Sequence, residues 1–93
     1  MAKIYIAGKI TGLKNYREVF KKAEKELNDK GNVCMNPSVL SEGFEWNEYM
    51  YICYQMMGVC DTIYMLKNWI DSKGAINEHD YAIENHMKII YEE

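Results

Sequence analysis

Ninety-three residues with 48% hydrophobic and 27% charged side chains make one domain, residues 1–93, with no room for a second core. A net charge of −3 lacks the basic excess of a general nucleic-acid binder. So short a chain cannot wall off a large private pocket, so any site is expected to lie open or to be closed by another subunit.

The run Ile4-Tyr5-Ile6-Ala7 is apolar throughout, ends at Gly8 and reads as a buried strand. Gly8-Lys9-Ile10-Thr11-Gly12 follows as a loop. From Tyr16 to Asn28 the period is helical: Tyr16, Val19, Phe20, Ala23 and Leu27 share one face and the lysines and glutamates the other. Asn15 is the expected N-cap and Gly31 the stop. Val33-Cys34-Met35 is a second strand, closed by Asn36-Pro37, and residues 38–45 form a loop. A helix is expected from Trp46 to Val59, with an apolar, Tyr- and Met-rich surface. Residues 62–66 form a third strand, residues 67–73 a loop, and a third helix runs from Gly74 or Ala75 to Asn85. Lys88-Ile89-Ile90-Tyr91 is the fourth strand.

The alternation β-α-β-α-β-α-β predicts an α/β fold. The expected architecture is a three-layer α-β-α, Rossmann- or flavodoxin-like sandwich with a mainly parallel four-stranded sheet. Ligands of such sheets sit beyond the carboxyl ends of the strands, at the switch point. Residues 8–12, 36–46 and 67–74 are the candidate loops.

Three cysteines, Cys34, Cys53 and Cys60, with no CxxC pair, favour reduced thiols and a cytoplasmic setting. No apolar stretch approaches the roughly 20 residues of a membrane span, and no leader precedes the first strand. His79 and His86 stand seven apart on one helix, which does not make a metal site, and neither metal nor cofactor is expected. Eight tyrosines and seven methionines suit a pocket, a subunit interface or core filling.

Three places carry candidate chemistry. The amides of Gly8–Gly12 read either as an anion nest, with Lys9 and Thr11 adding charge and hydroxyl, or as a tight turn. The segment Asp71-Ser72-Lys73-Gly74-Ala75-Ile76-Asn77-Glu78 reads either as a helix cap with a solvated Glu78 or as a site. In the second case Glu78 is kept ionised by the helix dipole and serves as a nucleophile toward a sugar carbon. Tyr5 either fills the sheet–helix layer or donates its hydroxyl to a carboxylate from a neighbouring element.

These segments together resemble the nucleoside 2-deoxyribosyltransferase-like superfamily, in particular a small uncharacterised bacterial and phage branch of it. That branch starts "IYISGPITG", has "NP" after the second strand and "W..YM" opening the second helix, and continues "CD.IYLL..W..S.GA..E...A". The matching residues are 3–12, Asn36-Pro37, 46–50, 60–66 and 69–78 with Ala82. The resemblance implies cleavage of the N-glycosidic bond of 2-deoxynucleosides or their 5′-monophosphates through a covalent glutamyl-sugar intermediate. It makes Glu78 the nucleophile and Tyr5 the residue that orients it. Ser72 stands where branches acting on monophosphates carry a phosphate-contacting serine, and Gly8–Gly12 becomes the other half of the cradle. Trp46, Tyr49 or Trp69 would stack on the base.

Two positions depart from the pattern. Lys9 replaces the common proline or serine. Cys53 stands where relatives place an aspartate that assists at the base or sugar, which leaves Asp71, Asp61 or Glu48 as substitutes. The expected function is thus a nucleoside 5′-monophosphate N-glycosidase or deoxyribosyltransferase. The alternative is a non-catalytic nucleotide-binding or protein-interaction module. The partners expected are a nucleotide or nucleoside and, as in the superfamily, further copies of the chain. The second helix would offer Tyr49, Met50, Cys53, Met56 and Met57 to an interface. No membrane or nucleic-acid polymer is expected.

Overall fold

The computed structural model describes residues Met1–Glu93 and has four strands and three α-helices in strict alternation. They are β1 (Lys3–Ala7), α1 (Tyr16–Asp29), β2 (Val33–Met35), α2 (Trp46–Gly58), β3 (Thr62–Met65), α3 (Lys73–Glu84) and β4 (Lys88–Tyr91). Short 3-10 turns at Pro37–Val39 and Trp69–Asp71 lie within the second and third strand-to-helix connections. The sheet order is β2-β1-β3-β4 and every pairing is parallel. The mainly parallel sheet expected from the sequence is therefore wholly parallel, and the fold is an α/β three-layer sandwich.

Strand alternation divides the core. Ile4 and Ile6 of β1 pack with Phe20, Ala23 and Leu27 of α1, and Tyr64 points to the same side. Tyr5 and Ala7, with Ile63 and Met65 of β3, face the other side against Cys53 and Met57 of α2 and Ala75 and Ala82 of α3. Successive residues point to opposite faces of a strand, so one apolar run feeds both layers.

Helix ends follow local chemistry. Gly31, at φ +90°, closes α1: its amide bonds Asn28 O, and the amide of Asn32 bonds Leu27 O. That pairing of bonds is a Schellman stop and requires a left-handed residue. Asn15 sits at the N-cap position of α1 without any side-chain cap, contrary to expectation. Its carbonyl takes the Val19 amide instead. The helix α3 starts at Lys73, capped by Ser72, whose Oγ accepts from the Ala75 amide at 3.2 Å.

The Tyr- and Met-rich α2 keeps three of the five expected side chains from the surface, while Tyr49 and Met56 are half-buried. Met50, Cys53 and Met57 recur at helical spacing and are buried against the sheet. They are core, not interface. Tyr51 is the aromatic residue of this helix that stands most exposed.

The carboxyl ends of β1 and β3 are stitched together. The Leu66 amide bonds Ala7 O at 2.8 Å, and the Lys9 amide bonds Asn68 Oδ1 at 2.9 Å. Gly8 makes this approach feasible, because a Cβ there would lie 2.6 Å from Leu66 Cδ1 and 2.9 Å from Leu66 Cβ. Gly8→Ala is therefore expected to lower the free energy of unfolding by about 1–3 kcal/mol, the usual cost of overpacking. Urea denaturation of the two proteins checks it, and equal midpoints would show that the two loops separate freely.

Candidate functional site

The chain runs from β1 outward to β2 and from β3 outward to β4, so the switch point lies between β1 and β3. Above it opens a cleft of about 1280 Å³. Tyr5 and Glu78 lie at its floor. Residues 8–18, 40–44, 46 and 71–74 form its walls. The cleft is large for so small a chain, and it is open, as the length requires.

The floor is set by α3. Ala75, Glu78 and Ala82 recur at helical spacing and are the buried stripe of that helix. Two alanines let the helix approach the sheet closely, and the carboxylate between them is carried into the core with 6% of its surface exposed. The Tyr5 hydroxyl donates to Glu78 Oε2 at 2.6 Å, a contact between residues 73 apart in sequence. Glu78 is therefore neither solvated nor kept ionised by the helix dipole. It stands beyond the first turn of α3, where the dipole has faded. Burial raises its pKa from 4.5 to about 7, against the opposing pull of the Tyr5 and Cys53 hydrogen bonds.

Cys53 lies beside this pair. Burial, and then the charge of Glu78, push its thiol up to about 12, so it stays protonated at neutral pH. The Tyr5 phenol is likewise driven well above its ordinary value by burial and by Glu78. Glu78 is thus the floor group whose proton is exchanged near neutrality.

Around the floor the candidate residues divide. The amides of Ile10, Thr11 and Gly12 have no partner within the protein, and Gly12 adopts φ +82°. The Lys9 amide is taken by Asn68, so the nest is shorter than expected. The Ser72 hydroxyl oxygen is engaged as the α3 cap, which leaves its proton free to donate. Gly74 brings the start of α3 against α2, since a Cβ there would sit 3.3 Å from Met50 Sδ. Trp46 is exposed on the cleft wall, with Lys73 Nζ 4.8 Å over its ring. Tyr49 lines the cleft, but its hydroxyl is committed to the loop, donating to Ser41 O at 2.6 Å and accepting from the Phe44 amide at 3.1 Å.

Other candidates lie elsewhere. Trp69 is outside the cleft, stacked on His79 at 4.5 Å, whose Nε2 is 2.6 Å from the Tyr91 hydroxyl. Asp61 sits at the opposite end of the sheet, beside the Lys3 amide. Glu48 accepts from the Glu45 amide at 2.8 Å to open α2. Of the three acids considered as substitutes at Cys53, only Asp71 lines the cleft, on its exposed rim. No group of three or more metal-ligating side chains comes together. Sequence reasoning missed Arg17, Glu42 and Phe44. They reach the cleft only because the 38–45 loop folds back over the start of α1, which no local pattern encodes.

The site lies within a segment with an assigned family. Residues 2–91 match the family described as Domain of unknown function (DUF4406). The chain belongs to this family. No curated protein and no solved structure matches it. The match spans both the sheet and every cleft residue named above, so the Tyr5–Glu78 floor lies wholly inside the family's domain.

The raised pKa of Glu78 links stability to pH. Between about pH 4.5 and 7 the folded chain holds a proton at Glu78 that the unfolded chain has lost, so stability falls as pH rises through that window. The cost above it is on the order of 3 kcal/mol. Glu78→Gln is neutral at every pH and keeps an acceptor for Tyr5. Its stability relative to wild type is expected to rise from pH 4.5 to pH 8 by that order, then level off. Urea midpoints across this range check it, and a constant difference would show that Glu78 titrates as an ordinary exposed carboxyl.

Proposed function

We propose that the cleft binds a nucleoside 5′-monophosphate and cleaves its N-glycosidic bond, with Glu78 as nucleophile. The observation that carries this reading is the Glu78 carboxyl on the cleft floor, held by Tyr5 at 2.6 Å and titrating near 7. A carboxylate fixed by a donor and shielded from water is oriented for attack rather than for solvation. In the first step a Glu78 oxygen bonds to the anomeric carbon while the bond from that carbon to the base nitrogen breaks. The bonding pair leaves with the base, which takes up a proton. In the second step water, or a second base, attacks the same carbon and frees the carboxylate.

The unpaired amides of Ile10, Thr11 and Gly12, the Ser72 hydroxyl proton and Lys9 would hold the phosphate. Trp46 would lie along the base. The free cysteines suit a reducing, cytoplasmic setting, and no helix is long and apolar enough to cross a membrane. Association of copies is part of the same proposal. The exposed apolar rings of Phe44 and Trp46 at the cleft mouth supply a surface for it.

Cys53 favours a second reading, a nucleotide-binding module without turnover. A thiol pushed up to about 12 is a poor proton donor to a departing base. The two readings separate on one measurement, free base released from deoxynucleoside monophosphates, followed by chromatography. Turnover by wild type, lost by on the order of 10³-fold in Glu78→Ala, supports the enzyme. Its kcat/KM is expected to rise with pH and level off above about 7, as Glu78 ionises. No release with a clear thermal shift on nucleotide binding would establish the module. Release that Glu78→Ala leaves unchanged would remove Glu78 from the mechanism.

A further inference from the structure

We infer that Arg17 is an anion-recognition residue of the cleft, and that Glu42 occupies it as a placeholder that an incoming phosphate displaces. This rests on the reading of the cleft as a phosphate-monoester site, and it assigns a residue that the phosphate cradle does not include.

Four cations line the cleft: Lys9, Lys14, Arg17 and Lys73. The lysine side chains make no hydrogen bond or ion pair, and Lys73 lies over Trp46. Arg17 is held in place. Its Nε donates to Ser38 O at 3.0 Å and one terminal nitrogen donates to Leu40 O at 3.3 Å. Two backbone carbonyls therefore fix the guanidinium plane. These two bonds orient the group before any ligand arrives, and a planar, always charged fork is the group best matched to phosphate oxygens.

The other terminal nitrogen faces Glu42 Oε2 at 3.5 Å, a long pairing. The two side chains are 51% and 76% exposed. An ion pair so open to water contributes little, so exchange of one anion for another costs little. Both residues line the cleft, so the anion bound by this nitrogen lies in the cavity wall. A phosphate dianion carries more charge than a carboxylate and accepts more hydrogen bonds, and it would take the place of Glu42.

A purely structural latch makes the opposite prediction. If Arg17 served only to hold the 38–45 loop, removing Glu42 would loosen the wall and weaken binding. If Glu42 is a competitor, removing its charge tightens binding.

The test is calorimetric titration of 2-deoxyribose 5-phosphate, and of the same sugar without phosphate, into wild type, Glu42→Gln and Arg17→Lys. Glu42→Gln is expected to bind the phosphate ester about two- to fivefold more tightly, the range of a surface ion pair. Its affinity for the neutral sugar should not change. Arg17→Lys keeps the charge but loses the fork, and is expected to bind the ester roughly tenfold more weakly. Unchanged or weaker ester binding by Glu42→Gln would overturn the inference. So would no binding of the ester by wild type. Ester binding with the expected order, but no release of base from any nucleotide, would sustain the inference and sink the glycosidase reading. Base release with equal ester affinity in all three proteins would do the reverse.

Discussion

The hydrogen bond from Tyr5 to Glu78 is the interaction on which the cleft depends. A carboxyl group taken out of water among alanines would be strongly unfavourable without a donor. The donor comes from β1, one of the two inner strands of the sheet, 73 residues away in sequence. Its position follows from two periodicities. Strand alternation sends Tyr5 to the α2–α3 side, and the helical period of α3 sends Glu78 to meet it. Shift either register by one residue and the carboxyl loses its partner. The rest of the fold keeps those registers: the wholly parallel ladder fixes β1, and the Ser72 cap fixes where α3 begins.

This arrangement trades stability for a buried titratable group. Ala75 and Ala82 could have enclosed another apolar residue at position 78 and would have gained from it. The chain instead buries a carboxyl whose proton is held to about pH 7. A group so costly to ionise, on the floor of an open cleft, is what the proposed glycosidic chemistry asks for and what packing alone does not. The neighbouring elements share the expense. Ser72 caps the helix with its oxygen and still keeps a free hydroxyl proton. Gly8 and Gly74 give up side chains so that the loops and helices around the floor can close up.

Much of the fold was legible because its signals are local. Apolar runs, helical stripes and the Gly31 stop each depend on a few adjacent residues, and all seven main elements fall where those signals put them. The meeting of Tyr5 with Glu78 was half-legible: alternation allowed it and the family resemblance implied it, but the residues alone did not choose between it and a solvated carboxylate. The dipole argument misjudged Glu78 because it weighed a helix end and ignored the buried stripe. The Met- and Cys-bearing stripe of α2 was visible as a stripe, yet its partner was not, since a stripe does not say whether it meets a sheet or another molecule. Arg17 was the least legible. In sequence it is one more charge on a polar helix face. Its fixed position comes from carbonyls 21 and 23 residues away that fold over it.

The protonation states on the floor bear on how a bond to a base could be broken there. Tyr5 and Cys53 are both held protonated by burial and by the charge of Glu78. Tyr5 donates to the Glu78 carboxyl at 2.6 Å, Cys53 lies beside the pair, and neither releases its proton readily. The remaining carboxylates of the cleft, Glu18, Glu42 and Asp71, stand on its exposed rim. Nucleophile and proton source are therefore, under the glycosidic reading, separated in space, floor against rim, where an aspartate at position 53 would have joined them. Under the glycosidic reading the proton for the departing base must come from the rim or from water, on the open side of the cleft. That division matches the shape of the molecule. Four strands and three helices are enough to shield most of one carboxyl, but not to enclose the far side of the ligand it would attack.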